Sequence, residues 1–119
     1  MATILIIDDD PNLLESLSEL LRTAGYHPVT AQDGQQALAY LQQHGPPCAI
    51  VLDLIMPGMD GWAFREAQRR DAALATVPTV IVTGAAHAYL AARGDPGGAV
   101  FPKPFDFGRL LDAIRRLCE

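Results

Sequence analysis

The sequence predicts an α/β protein built on a parallel sheet, and three observations carry that prediction. Apolar runs of strand length alternate with stretches of helical periodicity, the mark of repeated strand–helix–strand units. The run at residues 48–52 is apolar without interruption, as expected of a strand covered on both faces. Polar groups then stand where the apolar runs stop: Asp8, Asp9 and Asp10 after residues 4–7, Asp53 after 49–52, Thr83 after 80–82, and Lys103 shortly after 99–101. In an open parallel sheet, the carboxyl ends of the strands are where ligands bind.

Each element has its own local reason. Thr3–Ile7 reads as the first strand. Asp10 followed by Pro11 is an N-cap with proline at the first helical position. Leu13, Leu17, Leu20, Leu21 and Ala24 then share one helical face, and Gly25 ends the helix. His27–Ala31 is a short second strand, after which Asp33 and Gly34 turn into a helix near residues 35–43. Gly45, Pro46 and Pro47 stop that helix, and residues 48–52 form the third strand. A loop at 57–61 leads into a helix near 62–70, with Asp60 as its N-cap. The fourth strand is expected at 79–82, and a poor helix from about 86 to 93, broken by Gly94, Asp95, Pro96, Gly97 and Gly98. Residues 99–101 make a short fifth strand, and Phe107, Leu110, Leu111, Ile114 and Leu117 mark a final amphipathic helix. No repeat, low-complexity segment or internal linker interrupts the pattern, so residues 1–119 read as one domain.

Composition narrows the function. Half of the residues are hydrophobic and 19% are charged, which suits a folded globular chain rather than a disordered one. A net charge of −5 argues against direct contact with nucleic acid. The arginines gather late, at Arg65, Arg69, Arg70, Arg109, Arg115 and Arg116, and read as solvated helical faces. His27, His44 and His87 lack metal-ligand spacing, so no zinc site is expected. Cys48 and Cys118 have no C-x-x-C relation and read as two free thiols in a reducing compartment. No apolar run approaches a membrane span and no signal pattern opens the chain, which predicts a cytoplasmic protein with no membrane contact.

The segments ILIIDDD, VLDLIMPGMDG, TVIVTG and FPKPF occur in one order, each at a strand end. Together they resemble the receiver domains of two-component response regulators, of the chemotaxis-regulator-like kind, over essentially the whole length. That resemblance implies a doubly wound, flavodoxin-like sheet of five parallel strands in the order 2-1-3-4-5, with a fourth helix that is shortened here. It also implies signalling by phosphorelay rather than turnover of a substrate. A sensor histidine kinase or phosphotransfer protein supplies the phosphoryl group from a phosphohistidine, and a downstream protein or domain reads the change.

Asp53 resembles the phosphoacceptor, whose carboxylate attacks phosphorus to give an acyl phosphate. Asp8 and Asp9 match the acidic pair of the family. Carboxylates crowded in one pocket call for a cation, and magnesium is the expected ion because it takes oxygen ligands and keeps waters. By resemblance Asp9, Asp53 and the backbone carbonyl of Ile55 ligate it, while Asp8 acts mainly through water. Asp10 is left as the helix cap. Thr83 offers a hydroxyl to one phosphoryl oxygen and Lys103 a compact positive charge to another. Gly84 keeps the approach open, and the bond between Lys103 and Pro104 is implied to be cis.

Three features depart from the family pattern. The aromatic residue three before the lysine is replaced by Val100, with Phe101 next to it, which puts the usual aromatic switch in question. The acidic pair that often precedes the fifth strand in dimeric DNA-binding regulators is missing. Ile55 and Ala85, two after Asp53 and Thr83, cannot orient an attacking water by their side chains, which predicts a long-lived acyl phosphate. Trp62 reads as a packing residue and a convenient fluorescence reporter. Two other readings stand beside this one. A magnesium-dependent phosphatase would use an aspartate nucleophile with a second aspartate two residues on, as Asp10 follows Asp8. A binding module independent of phosphorylation would have no need of the full set Asp8, Asp9, Asp53, Thr83 and Lys103.

Overall fold

A computed structural model describes residues 2–84 and 99–118 of the chain. Its elements run β1 (Thr3–Ile7), α1 (Pro11–Thr23), β2 (His27–Ala31), α2 (Gly34–His44), β3 (Ala49–Asp53), α3 (Gly61–Arg70), β4 (Thr79–Thr83), β5 (Ala99–Pro102) and α4 (Phe107–Leu117). All strand pairings are parallel, in the order β2-β1-β3-β4-β5. The doubly wound fold expected from the sequence is therefore present. The helix expected near residues 86–93, its glycine-rich break and Ala85 lie outside the described residues.

Alternation along the strands sorts the core into two layers. Leu5, Ile7, Ile50, Leu52 and Ile81 face one way and pack with Ala37 and Leu41 of α2 and Phe64 of α3. Ile4, Ile6, Ala49, Val51, Val80 and Val82 face the other way, against Leu14, Leu17 and Leu21 of α1 and Leu110, Leu111 and Ile114 of α4. Because both faces are covered, β3 and β4 are buried at every position, which is why they read as unbroken apolar runs. Phe107 and Leu117, expected on the buried stripe of the last helix, are instead about 40% exposed. They occupy its first and last positions, outside the stripe Leu110, Leu111 and Ile114.

Both edge strands carry a proline, Pro28 on β2 and Pro102 on β5. Proline donates no ladder hydrogen bond, so each edge is a poor template for another strand.

One expectation is corrected. Cys48 and Cys118 are not free thiols but are joined in a disulfide, with Cα atoms 5.8 Å apart. Their separation of 70 positions hides the pair from any reading of local spacing. The topology brings them together: Cys48 immediately precedes β3, and Cys118 caps the carboxyl end of α4, which returns along the sheet towards the strand starts. The free-thiol argument for a reducing compartment thereby loses its basis.

Candidate functional site

Strand register builds the site. Ile7 pairs with Leu52, so the next residues, Asp8 and Asp53, come side by side at the carboxyl ends of β1 and β3. Asp53 pairs with Val82, which sets Thr83 one step further on β4. Thr83 in turn pairs with Pro102, and its carbonyl accepts a 2.8 Å hydrogen bond from the Lys103 backbone. The Lys103–Pro104 peptide bond is cis, as the family pattern implied.

Within this cluster, Lys103 Nζ donates to Asp8 Oδ2 at 2.8 Å and lies 3.5 Å from Asp53 Oδ2. Asp8 Oδ1 accepts from the Asp10 amide at 2.9 Å, and Asp53 Oδ1 accepts from the Ile55 amide at 3.2 Å. Asp8 and Asp53 are almost fully buried, while Asp9 is exposed at the rim. Asp10 caps α1 by accepting from the Asn12 amide at 3.0 Å, which leaves it to the helix as expected. The side chain of Ile55 is 38% exposed at the mouth.

Electrostatics make the cluster incomplete as it stands. Burial raises the Asp53 carboxyl to about 6, reinforced by the neighbouring charge of Asp8 and opposed by Lys103 and the Ile55 amide. Burial pulls the Lys103 ammonium down, but its hydrogen bond to Asp8 and the charge of Asp53 more than offset this and hold it above its usual value. Oxygens of Asp8, Asp9 and Asp53 all lie within 4.8 Å of one another. Among the described residues, three carboxylates against one ammonium leave two negative charges unbalanced. Hard oxygen donors in that number fit a divalent cation such as magnesium. Among the described residues, Thr83 Oγ1 is the one buried side-chain polar atom without a hydrogen-bond partner. A Cβ at Gly84 would meet nothing within 4 Å, so the approach beside Thr83 is open.

The residues singled out from sequence thus gather at one end of the sheet. The direct pairing of Lys103 with Asp8 was not anticipated, because a lysine carries no sequence mark of its partner. Val100 packs with the Leu5 layer and Phe101 with the opposite one. A shift of one position reverses the face, so Phe101 cannot occupy the place of the missing aromatic. Trp62 packs against the core as expected. Beside the cluster, Leu13, Pro104, Phe105 and Phe107 wall a groove of about 320 Å³, with Asp10 and Lys103 at its polar margin. No helix among the described residues is long and apolar enough to cross a membrane.

The chain matches the response regulator receiver domain family over residues 4–115. It is 38% identical over 121 residues to the DNA-binding dual master transcriptional regulator RpaA of Synechocystis, an alignment covering 98% of this chain and 49% of that one. The chain thus spans about half the length of that regulator, and between a quarter and about two thirds of other curated relatives. The receiver domain of a signal transduction histidine kinase from Syntrophus aciditrophicus superposes with a TM-score of 0.90 at 28% identity, covering 99% of this chain and 90% of that one. The receiver domain of sensor histidine kinase PA1611 from Pseudomonas aeruginosa, described with a magnesium ion in its active-site cleft, has the same fold at 24% identity. Its TM-score is 0.90, over 98% of this chain and 97% of that one. A DNA-binding regulator among the relatives leaves the expectation of no nucleic-acid partner without support. The fold, the strand-end carboxylates and the family match agree: this chain belongs to the receiver domains of response regulators, the signalling modules of two-component systems.

Proposed function

We propose that residues 1–119 form a single phosphoryl-accepting switch in which Asp53 is the acceptor. The observation that carries this reading is the convergence of Asp8, Asp9, Asp53 and Lys103 at one strand end, beside the Thr83 hydroxyl, which has no partner among the described residues. In the proposed transfer, a carboxylate oxygen of Asp53 forms a bond to phosphorus as the nitrogen–phosphorus bond of a phosphohistidine breaks. The imidazole leaves with the bonding pair and takes up a proton. Lys103 meets one phosphoryl oxygen and Thr83 Oγ1 donates to another. Both act by position and charge, as suits phosphoryl transfer.

Asp9, Asp53 and the Ile55 carbonyl would hold magnesium directly, with Asp8 acting through water and orienting Lys103. The ion, when bound, supplies the positive charge that lets the carboxylates and the incoming phosphoryl group share one pocket. A sensor kinase or phosphotransfer protein is the donor, and the apolar groove beside Lys103 gives it a seat next to the acceptor. The same residues release the group slowly to water, since Ile55 offers no polar side chain to orient one. The setting proposed is the cytoplasm, and the output partner is a protein or domain that reads the phosphorylated surface. The use of Asp10 as the α1 cap weighs against the phosphatase reading, which needs it as an acid.

Intact-mass measurement with acetyl phosphate tests the reading. One phosphoryl group adds in the presence of magnesium, none with chelator, and Lys103→Ala responds poorly to beryllofluoride. Equal addition with and without divalent cation would overturn the proposed site.

A further inference from the structure

Between β3 and α3, the loop of residues 54–60 carries Ile55 and follows directly on Asp53. Gly61 lies at its far end, and the Gly61 amide donates to the Leu54 carbonyl at 2.9 Å, closing the loop on itself. A Cβ at Gly61 would stand 2.6 Å from Leu54 Cα and 2.7 Å from the Asp53 carbonyl oxygen. Any side chain there must displace the backbone that aims the acceptor. The loop touches a second fixed point. Gly34 opens α2, and a Cβ at Gly34 would meet Met59 Cγ at 2.7 Å, Sδ at 2.8 Å and Cβ at 3.1 Å.

Neither glycine is needed for its backbone. Among the described residues only Gly25, Gly45 and Gly58 have positive φ. Alanine is the better residue in a helix than glycine, so helix preference would favour replacing Gly34. Glycine there provides room. Its platform is rigid: Asp33 caps α2 through the Gln36 amide at 2.8 Å, and Gln36 returns a bond from the Gln32 amide at 2.9 Å. Met59, half-buried against the core, rests on that platform.

We infer that Gly34 and Met59 are positioning residues: the Met59 side chain seated on Gly34 clamps the 54–60 loop and so sets the Ile55 carbonyl and Asp53 for the cation. This rests on the proposed function, since it assigns the loop a ligand to hold. It couples the start of α2 to a site whose carboxylates lie on β1 and β3.

A double-mutant cycle tests it, with Gly34→Ala, Met59→Ala and the pair, read by magnesium titration of Trp62 fluorescence, by amide exchange across residues 54–60 without metal, and by thermal midpoint. Outer-shell support of metal ligands is commonly worth on the order of tenfold in affinity. Gly34→Ala is expected to weaken magnesium binding by about that factor and to speed exchange in the loop. Met59→Ala, which removes contacts without adding a clash, weakens binding roughly threefold on the same scale. The double variant binds no worse than Met59→Ala, because the clash has gone.

Parental affinity in Gly34→Ala and Met59→Ala, or a double variant as poor as Gly34→Ala, would overturn the inference. Should Gly34→Ala fail to fold, Met59→Ala alone decides: parental magnesium affinity with parental exchange in the loop refutes the clamp. A parent that binds magnesium but takes no phosphoryl group breaks the functional reading and leaves the cycle standing. A parent that is phosphorylated and shows a flat cycle breaks only the clamp.

Discussion

Both ends of the sheet bury polar side chains, and they treat them in opposite ways. At the strand starts, Gln68 of α3 is completely buried and donates to the carbonyls of Leu74 and Val77 and to Thr79 Oγ1, at 3.0 to 3.2 Å. Its own oxygen accepts from Arg65 at 2.8 Å. The network is satisfied inside the protein, and the Cys48–Cys118 disulfide fixes the same end. At the strand ends, among the described residues, Asp8, Asp9 and Asp53 outnumber Lys103, and Thr83 Oγ1 has no partner. A satisfied buried network specifies structure, whereas an unsatisfied one marks a place where something else must bind. The lesson is one of placement: the rigid end holds the frame, and the charged end is left to respond.

The largest stability effect is expected at the satisfied end. Gln68→Ala removes the hydrogen bonds its buried amide makes with Arg65, Leu74, Val77 and Thr79 and leaves a cavity, which should cost about 3–4 kcal/mol in urea unfolding. Phosphoryl acceptance should survive in the fraction that remains folded. A loss below about 1 kcal/mol would mean that the network is ornamental and the contrast false.

Reduction of the disulfide comes next. A link across 70 positions restrains a long loop of the unfolded chain, so reductant should lower stability by about 2–4 kcal/mol. Magnesium affinity should hardly change, because the link lies at the opposite end from the carboxylates. A large loss of magnesium binding would join two regions that the comparison separates.

At the charged end the sign reverses. Asp53 titrates at about 6 in the folded protein against 3.8 ordinarily, so its ionisation disfavours folding. The cost is absent below pH 3.8, grows as pH rises towards 6 and is complete above it, reaching at most about 3 kcal/mol. In chelator at neutral pH, Asp53→Asn should therefore be more stable than the parent by about 1–3 kcal/mol. Magnesium should then stabilise the parent and leave the variant almost unmoved. A less stable Asp53→Asn would show the cluster to be balanced already.

The smallest effect separates neighbours. Asp10→Ala removes a helix cap, worth about 1 kcal/mol, and should leave magnesium binding nearly intact. Asp9→Ala should do the reverse, weakening the ion with little effect on stability. Equal losses of magnesium affinity would erase the division between ligand and cap.

Much of this was legible in the sequence, for physical reasons that differ from residue to residue. The strands β3 and β4 read as unbroken apolar runs because both faces are buried, and the helix caps Asp10 and Asp60 stood at the expected starts. Asp8, Asp53, Thr83 and Lys103 were legible because a parallel sheet collects the ends of its strands. What escaped depends on contacts between distant segments. The Cys48–Cys118 link, the pairing of Lys103 with Asp8, and the seat of Met59 on Gly34 join positions whose proximity only the packed fold creates. Gln68 escaped as well, since a glutamine on a helix reads as a surface residue until the chain after it turns back over its amide.

The most direct measurement is to locate the phosphoryl group. Treating the acetyl phosphate product with borohydride converts an aspartyl phosphate into homoserine, and peptide sequencing by mass spectrometry then reads the position. Conversion at Asp53, abolished by Asp53→Asn and by chelator, is the predicted result. Conversion at Asp8, with Asp53 unmodified, would contradict it and assign the nucleophile to the other strand.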